Sequence, residues 1–196
     1  MILWERFDSN EWFMLAVLLL SYGAIWLLPK RVPVSWLILS LVWGIASSTV
    51  FDFTIGGGLM DFYVINDTNH YEFVDLFTYF MFAPFGYFFV YGYELLRISR
   101  ITLILYIVGW TVVGVSFQWL AELMGLTHYK NGYRMEYNVV VFLVIQSITG
   151  LFYGYMRASV PFRRPSPASG RSRAPARWSP KKPSPANFRR ARKSSP

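Results

Sequence analysis

The chain contains no cysteine. That excludes disulfides, thiolate metal sites and cysteine nucleophiles, and it removes any reading of the redox compartment. Charge is also scarce. Asp, Glu, Lys and Arg make up 15% of the 196 residues, against 54% hydrophobic and 19% aromatic. A soluble domain of this size carries more charge than that. Five windows hold no charged residue at all: 12–28, 32–51, 76–93, 101–121 and 137–156. With no charge at the centre of any window, a proton pump, voltage sensor or ion-coupled carrier is disfavoured. A Schiff-base pigment is disfavoured too, because no window contains a lysine.

What is present is apolar length. A helix needs roughly 20 residues to cross about 30 Å of hydrocarbon, and in lipid every backbone polar group must be paired internally. The windows are continuously apolar rather than alternating, which disfavours barrel strands. The expected fold is all-α: a polytopic membrane protein with five transmembrane helices at about 11–29, 33–53, 73–96, 101–123 and 137–157. The first segment lacks the basic start of a signal peptide. Pro29-Lys30-Arg31 stands where a small-residue cleavage site would be.

Charge divides along the chain. Residues 157–196 hold 12 Lys and Arg and no acid, whereas residues 1–156 hold 7 basic and 11 acidic residues. Basic residues are retained on the cytoplasmic side. Lys30 and Arg31 follow the first window, Arg97 and Arg100 the third, and Arg157, Arg163 and Arg164 the fifth. The expected orientation therefore puts the N-terminus outside and the C-terminus in the cytoplasm.

Polar residues within the windows are the candidates for ligand contact. Gln146 lies near the middle of the fifth and Gln118 towards the outer end of the fourth, while Asp52 and Asp75 flank windows at the outer side. Glu94 stands three residues before Arg97, the spacing of an ion pair along a helix. Gly44 and Ser48, and Gly150 and Gly154, are spaced for close helix packing. Pro84 removes a backbone donor from the third window and should kink it. Aromatics near window ends, among them Trp4, Trp12, Tyr71, Tyr91, Tyr93, Tyr133, Tyr137, Tyr153 and Tyr155, read as interfacial anchors rather than as a cofactor site. No cofactor is expected.

The outer segment 52–75 is the most chemically loaded. Gly56-Gly57-Gly58 permits a tight turn or a short re-entrant piece. His70 lies among Asp67, Glu72 and Asp75, and the chain's other histidine, His128, falls in the second outer loop. His70, His128 and Asp67 are the candidate ligands of a divalent cation, without a supporting motif such as H-E-x-x-H. Asn66-Asp67-Thr68 matches a glycosylation acceptor. There is no G-x-S-x-G elbow and no carboxylate pair inside a window. Ser47 and Ser48 have no histidine near them in sequence, so nothing points to an enzyme.

From residue 158 the composition turns to Pro, Ser, Ala, Arg and Lys, which cannot bury enough apolar area to offset ordering entropy. This tail is expected to be disordered. It repeats itself at 163–168 and 181–186. Its first expected partner is anionic lipid head groups, through Arg163, Arg164, Lys181 and Lys182 among others. Nucleic acid is a weaker alternative, resting on one Ser-Pro-Lys-Lys run at 179–182. A tail with no selected partner is the third.

Trp4-Glu5-Arg6-Phe7, the first window ending Leu28-Pro29-Lys30, Asp52 with its glycine-rich turn, Tyr133-Arg134-Met135-Glu136-Tyr137 and the last window ending Tyr153-Gly154-Tyr155-Met156-Arg157 form a recurring layout. In these features residues 1–157 resemble a family of small multi-pass membrane proteins of endospore-forming Gram-positive bacteria. The resemblance implies a bacterial cytoplasmic membrane and no particular activity, and it carries over no functional residue. The basic tail departs from it. The leading expectation is a non-enzymatic membrane protein that binds a partner or small ligand at its outer face, with another membrane protein or a second copy as partner. The alternatives are a small transporter or channel component, and an intramembrane enzyme with a site at the outer face.

Overall fold

The structure, a computed structural model, describes residues 8–65 and 73–159. Among them are five long helices: α1 (Ser9–Leu27), α2 (Val34–Thr54), α3 (Phe73–Leu95), α4 (Leu103–Leu123) and α5 (Asn138–Ser159). Each overlaps one charge-free window. Their ends fall within two residues of the expected bounds. Four of them, α1, α2, α4 and α5, are long and apolar enough to cross a membrane.

α3 is as long, at 23 residues, but richer in Tyr and interrupted by Pro84. Its neighbours explain the composition. α1 reaches it through the Tyr22 hydroxyl, which donates to the Phe80 carbonyl at 3.1 Å. α2 lies against it at glycine: a methyl group on Gly44 would come 2.5 Å from the Ala83 carbonyl oxygen, and one on Gly86 would strike the Ser40 carbonyl. The Tyr106 hydroxyl of α4 donates to the Phe89 carbonyl at 2.5 Å. From α5, the Tyr153 ring meets Tyr93 edge-on at 5.0 Å. A helix touched by all four others presents less surface to lipid, chiefly Leu76, Phe77 and Phe80, so the rest of it accommodates tyrosine hydroxyls and glycine gaps. It runs through Pro84, whose ring is fully buried.

The partition of side chains is that of a bilayer protein. Leu19, Trp26, Ile38, Val112, Val140 and Leu151 are exposed, while Ser21, Ser40, Thr78, Thr111, Asn138 and Thr149 are buried. Water would reward the reverse. Hydrocarbon removes that reward and requires the polar groups to find partners inside. Several hydroxyls bond their own helix, as Ser40 does to Trp36 O at 2.6 Å and Thr111 to Ile107 O at 2.9 Å.

The helix close-packing expected of Gly44 is realised within the chain, although the residue that shares its contact is Ser40, one turn before, rather than Ser48. Gly150 admits Leu103 from α4, and Gly154 faces the Tyr93 hydroxyl. Three expected interfacial anchors, Tyr91, Tyr93 and Tyr153, are buried in the core instead. The Tyr153 hydroxyl donates to the Glu94 carboxylate at 2.9 Å. Glu94 itself pairs with Arg157 of α5 at 2.9 Å, not with Arg97 as its spacing suggested. Arg97 has left the helix: its φ is +52°, and the Ile98 amide returns to the Tyr93 carbonyl at 3.1 Å. That is a Schellman end with arginine in the left-handed position usually held by glycine.

The two connections at the other end of the bundle pair with each other. β1 (Tyr63–Ile65) and β2 (Thr127–Tyr129) form a two-stranded antiparallel ladder, with Tyr63 opposite Tyr129, Val64 opposite His128 and Ile65 opposite Thr127. The windows gave no sign of it, since both strands lie in connections. The chain before β1 folds back on α2, with the amides of Leu59, Met60 and Phe62 donating to the carbonyls of Phe53, Thr54 and Ile55. A methyl group on Gly58 would collide with the Phe53 carbonyl, so this glycine serves close approach. β2 follows a second Schellman end at Gly125 (φ +77°), where the Leu126 amide reaches the Ala121 carbonyl at 2.9 Å. The Lys130 ammonium and Asp61 carboxylate, 2.7 Å apart, tie the two connections together.

Candidate ligand cavity

α2 packs tightly on α3, and α4 packs on α5. Between these pairs the contacts are made by large rings rather than by backbone. Trp43 of α2 stacks on Phe152 of α5 at 5.0 Å, and Phe85 of α3 meets Phe117 of α4 at 4.7 Å. Rings used as spacers leave a gap. A cavity of about 150 Å³ lies there, among α2, α3, α4 and α5, with residues of both strands at one end.

Its walls are aromatic: Trp43, Phe51, Phe82, Phe85, Phe89 and Phe142. Polar groups enter at separate points. Ser47 and Ser48 line it from α2 while donating to their own helix, at 2.7 Å to Trp43 O and 2.9 Å to Ile45 O; each keeps acceptor capacity. The Trp43 indole donates to the Thr149 hydroxyl at 2.9 Å. Tyr79 lines the cavity and donates its hydroxyl to the buried Asp52 carboxylate at 2.6 Å.

Towards the strands the polar groups form a chain. The Tyr133 hydroxyl donates to Asn138 Oδ1 at 2.8 Å, and Asn138 Nδ2 donates to the Tyr129 hydroxyl at 2.8 Å. Gln118 Nε2 donates to the Thr127 hydroxyl at 3.1 Å. Burial pushes the Tyr133 phenol up to about 12, with Tyr129 adding to the effect. Burial also raises that of Tyr129. Both phenols are therefore neutral donors at physiological pH. Gln146 stands apart from this chain. Gln146 lines the cavity, and its amide makes no hydrogen bond among the described residues, leaving a donor and an acceptor side by side.

Of the four residues the sequence offered for ligand contact, Gln118 and Gln146 line the cavity and Asp52 lies one hydrogen bond behind its wall, through Tyr79. The side chain of Asp75 lies outside the described residues. So do His70 and Asp67 of the expected cation site. His128 is exposed on β2, and among the described residues no three His, Asp or Glu side chains come together. Arg163, Arg164, Lys181 and Lys182 also lie outside the described residues. Sequence reasoning missed Trp43, Tyr79, Tyr133 and Asn138. Asn138 carried a usable signal, being the lone asparagine in any charge-free window. Trp43 and Tyr79 were hidden among many aromatics.

Compared with known proteins, the chain matches no family model, no curated protein and no solved structure.

Proposed function

We propose that this chain is a five-span membrane protein that binds a small, neutral, planar molecule in its central cavity, without chemistry upon it. The observation that carries the reading is Gln146: an amide with no partner among the described residues, set in an aromatic wall. A cavity of about this size takes one benzene-sized ring. The flat walls favour a ring, and the amide favours a carbonyl or amide group upon it. Among the described residues no charged side chain lines the cavity, and a buried unpaired charge is costly. The ligand is therefore neutral and lipid-soluble. This moves the expected binding site from the outer loop to the space beneath it.

The fifth crossing is supported by the two ends of the bundle. β1 and β2 pair, so the α2–α3 and α4–α5 connections share one end. Glu94 and Arg157 pair, so α3 and α5 finish together at the other. α3 thus traverses the bundle, and at about 1.5 Å per residue its length suffices for about 30 Å of hydrocarbon. The basic ends of α1, α3 and α5 support an N-terminus outside and a cytoplasmic C-terminus. Their membrane is a bacterial cytoplasmic membrane, as the resemblance implies. The tail meets anionic head groups there.

The test is the thermal midpoint of the full chain in detergent with toluene, benzamide or benzoate, since a ligand of the folded state raises it by mass action. Benzamide should raise it saturably, toluene less and benzoate not at all. Gln146→Leu should remove about fivefold of benzamide affinity, one hydrogen bond of roughly 1 kcal/mol, and spare toluene. No shift with any of the three overturns the reading.

A further inference from the structure

A second space lies on the outside of the bundle, at the end opposite the strands. The α3–α4 connection and one face of α4 leave an open groove of about 460 Å³, lined by Leu96, Ile98, Leu105, Tyr106, Gly109 and Val113 among others. Gly109 contributes to it: a methyl group there would meet nothing within 4 Å. The neighbouring surface of α4, with Ile104, Leu105, Val108, Val112 and Val113, is exposed and apolar.

The groove has a length and a polarity. From Thr102 to Val113 it follows α4 for eleven residues, about 16 Å at 1.5 Å each. That is half of a hydrocarbon core of about 30 Å, or one leaflet. At its Thr102 end stand two arginines. Arg97 lies between groove residues Leu96 and Ile98, and Arg100 between Ile98 and Thr102. Both are exposed, and neither forms an ion pair among the described residues. Two amides of the connection before α4 are already engaged. Ser99 N–H donates to the Thr102 hydroxyl at 2.8 Å, and Thr102 N–H to the Ser99 hydroxyl at 3.3 Å. The two guanidinium groups at this end suit phosphate oxygens.

We infer that this groove is a phospholipid site: one acyl chain lies along α4 and an anionic phosphate head group is held by Arg97 and Arg100. The two spaces are independent, so this inference does not rest on the cavity's ligand.

The experiment is native mass spectrometry of the full chain released from micelles containing phosphatidylglycerol or phosphatidylcholine of the same acyl chains. One phosphatidylglycerol per chain should be retained in preference to phosphatidylcholine. The tail also attracts anionic lipid, so the groove variant is decisive. Gly109→Leu fills the groove without touching the tail and should lower retention about tenfold. Arg97→Gln with Arg100→Gln should remove the head-group preference. If Gly109→Leu proves unstable by its thermal midpoint, Gly109→Ala obstructs the same groove less severely and should lower retention in the same direction. Retention unchanged by filling the groove, or equal retention of both lipids by the wild-type chain, overturns the inference.

Discussion

The Arg157 guanidinium of α5 lies 2.9 Å from the Glu94 carboxylate of α3, and the Tyr153 hydroxyl, one turn before Arg157, donates to the same oxygen. The pair locks the ends of two helices that are far apart in the chain. Glu94 is nearly inaccessible, with 5% of its side chain exposed, whereas Arg157 keeps 36%. Removing the arginine takes this cationic partner from a buried carboxylate. Discounted for the exposed partner, Arg157→Gln should cost about 2 kcal/mol. Adding Glu94→Gln should recover most of the loss. Unfolding in detergent measures both, and a double variant as weak as the single one would contradict the account.

The α2–α3 crossing depends on absent side chains. Gly44→Ala puts a methyl group 2.5 Å from the Ala83 carbonyl oxygen and should destabilise by about 1–3 kcal/mol, the range for overpacking. Gly23→Ala, on α1 with nothing within 4 Å, should be neutral or stabilise by up to about 1 kcal/mol through helix propensity. Equal effects at the two sites would show that the crossing is looser than described.

Arg97 holds a left-handed conformation that costs a non-glycine residue about 1 kcal/mol. Arg97→Gly should therefore raise the unfolding free energy of the lipid-free protein by about that amount while weakening retention of phosphatidylglycerol. Stability and lipid binding moving in opposite directions separates the backbone role of this residue from its charge.

Much of this fold could be read from the chain itself. The five charge-free windows locate the helices because charge inside hydrocarbon is costly, and that constraint acts residue by residue. Pairings between windows are another matter. Glu94 had a plausible partner at Arg97, and only the left-handed turn that ends α3 takes Arg97 away. Tyr93 and Tyr153 read as interfacial anchors because they stand near window ends. They are core because the chain buries a carboxylate there for their hydroxyl and ring edges to surround. The ladder of β1 and β2 joins connections far apart in the chain, with Tyr63 opposite Tyr129, and no local pattern records such a contact. For the site, Gln118 and Gln146 were visible as polar residues in apolar company. Trp43 and Tyr79 were not, since a polar handle on an aromatic ring is not marked by spacing.

The phenol of Tyr133 gives the strand end a pH dependence. Its folded value is about 12, above the usual 10, so the folded state holds the proton more tightly. The stability this contributes is fully present below pH 10 and is lost as pH rises through 12. Tyr133→Phe lacks the hydrogen bond to Asn138 and should be about 1 kcal/mol less stable at pH 8. The gap to wild type should narrow between pH 10 and 12. A gap constant over that range would contradict the assignment.

A chain without cysteine accepts unique thiol labels. Leu59→Cys and Ser99→Cys flank α3, and both positions are exposed. A charged thiol reagent applied to intact cells should modify the first and reach the second only after permeabilisation. Modification of both from outside would contradict the crossing of α3.

The same labelling tests the cavity directly. Ser47→Cys introduces a thiol into its wall, and Val42→Cys introduces one on the exposed face of the same helix. The rate of alkylation by a small neutral reagent is measured with and without benzamide. The account predicts that benzamide slows reaction at position 47 saturably and leaves position 42 unchanged. Equal rates at position 47 with and without benzamide, at concentrations that raise the thermal midpoint, would mean the ligand binds elsewhere.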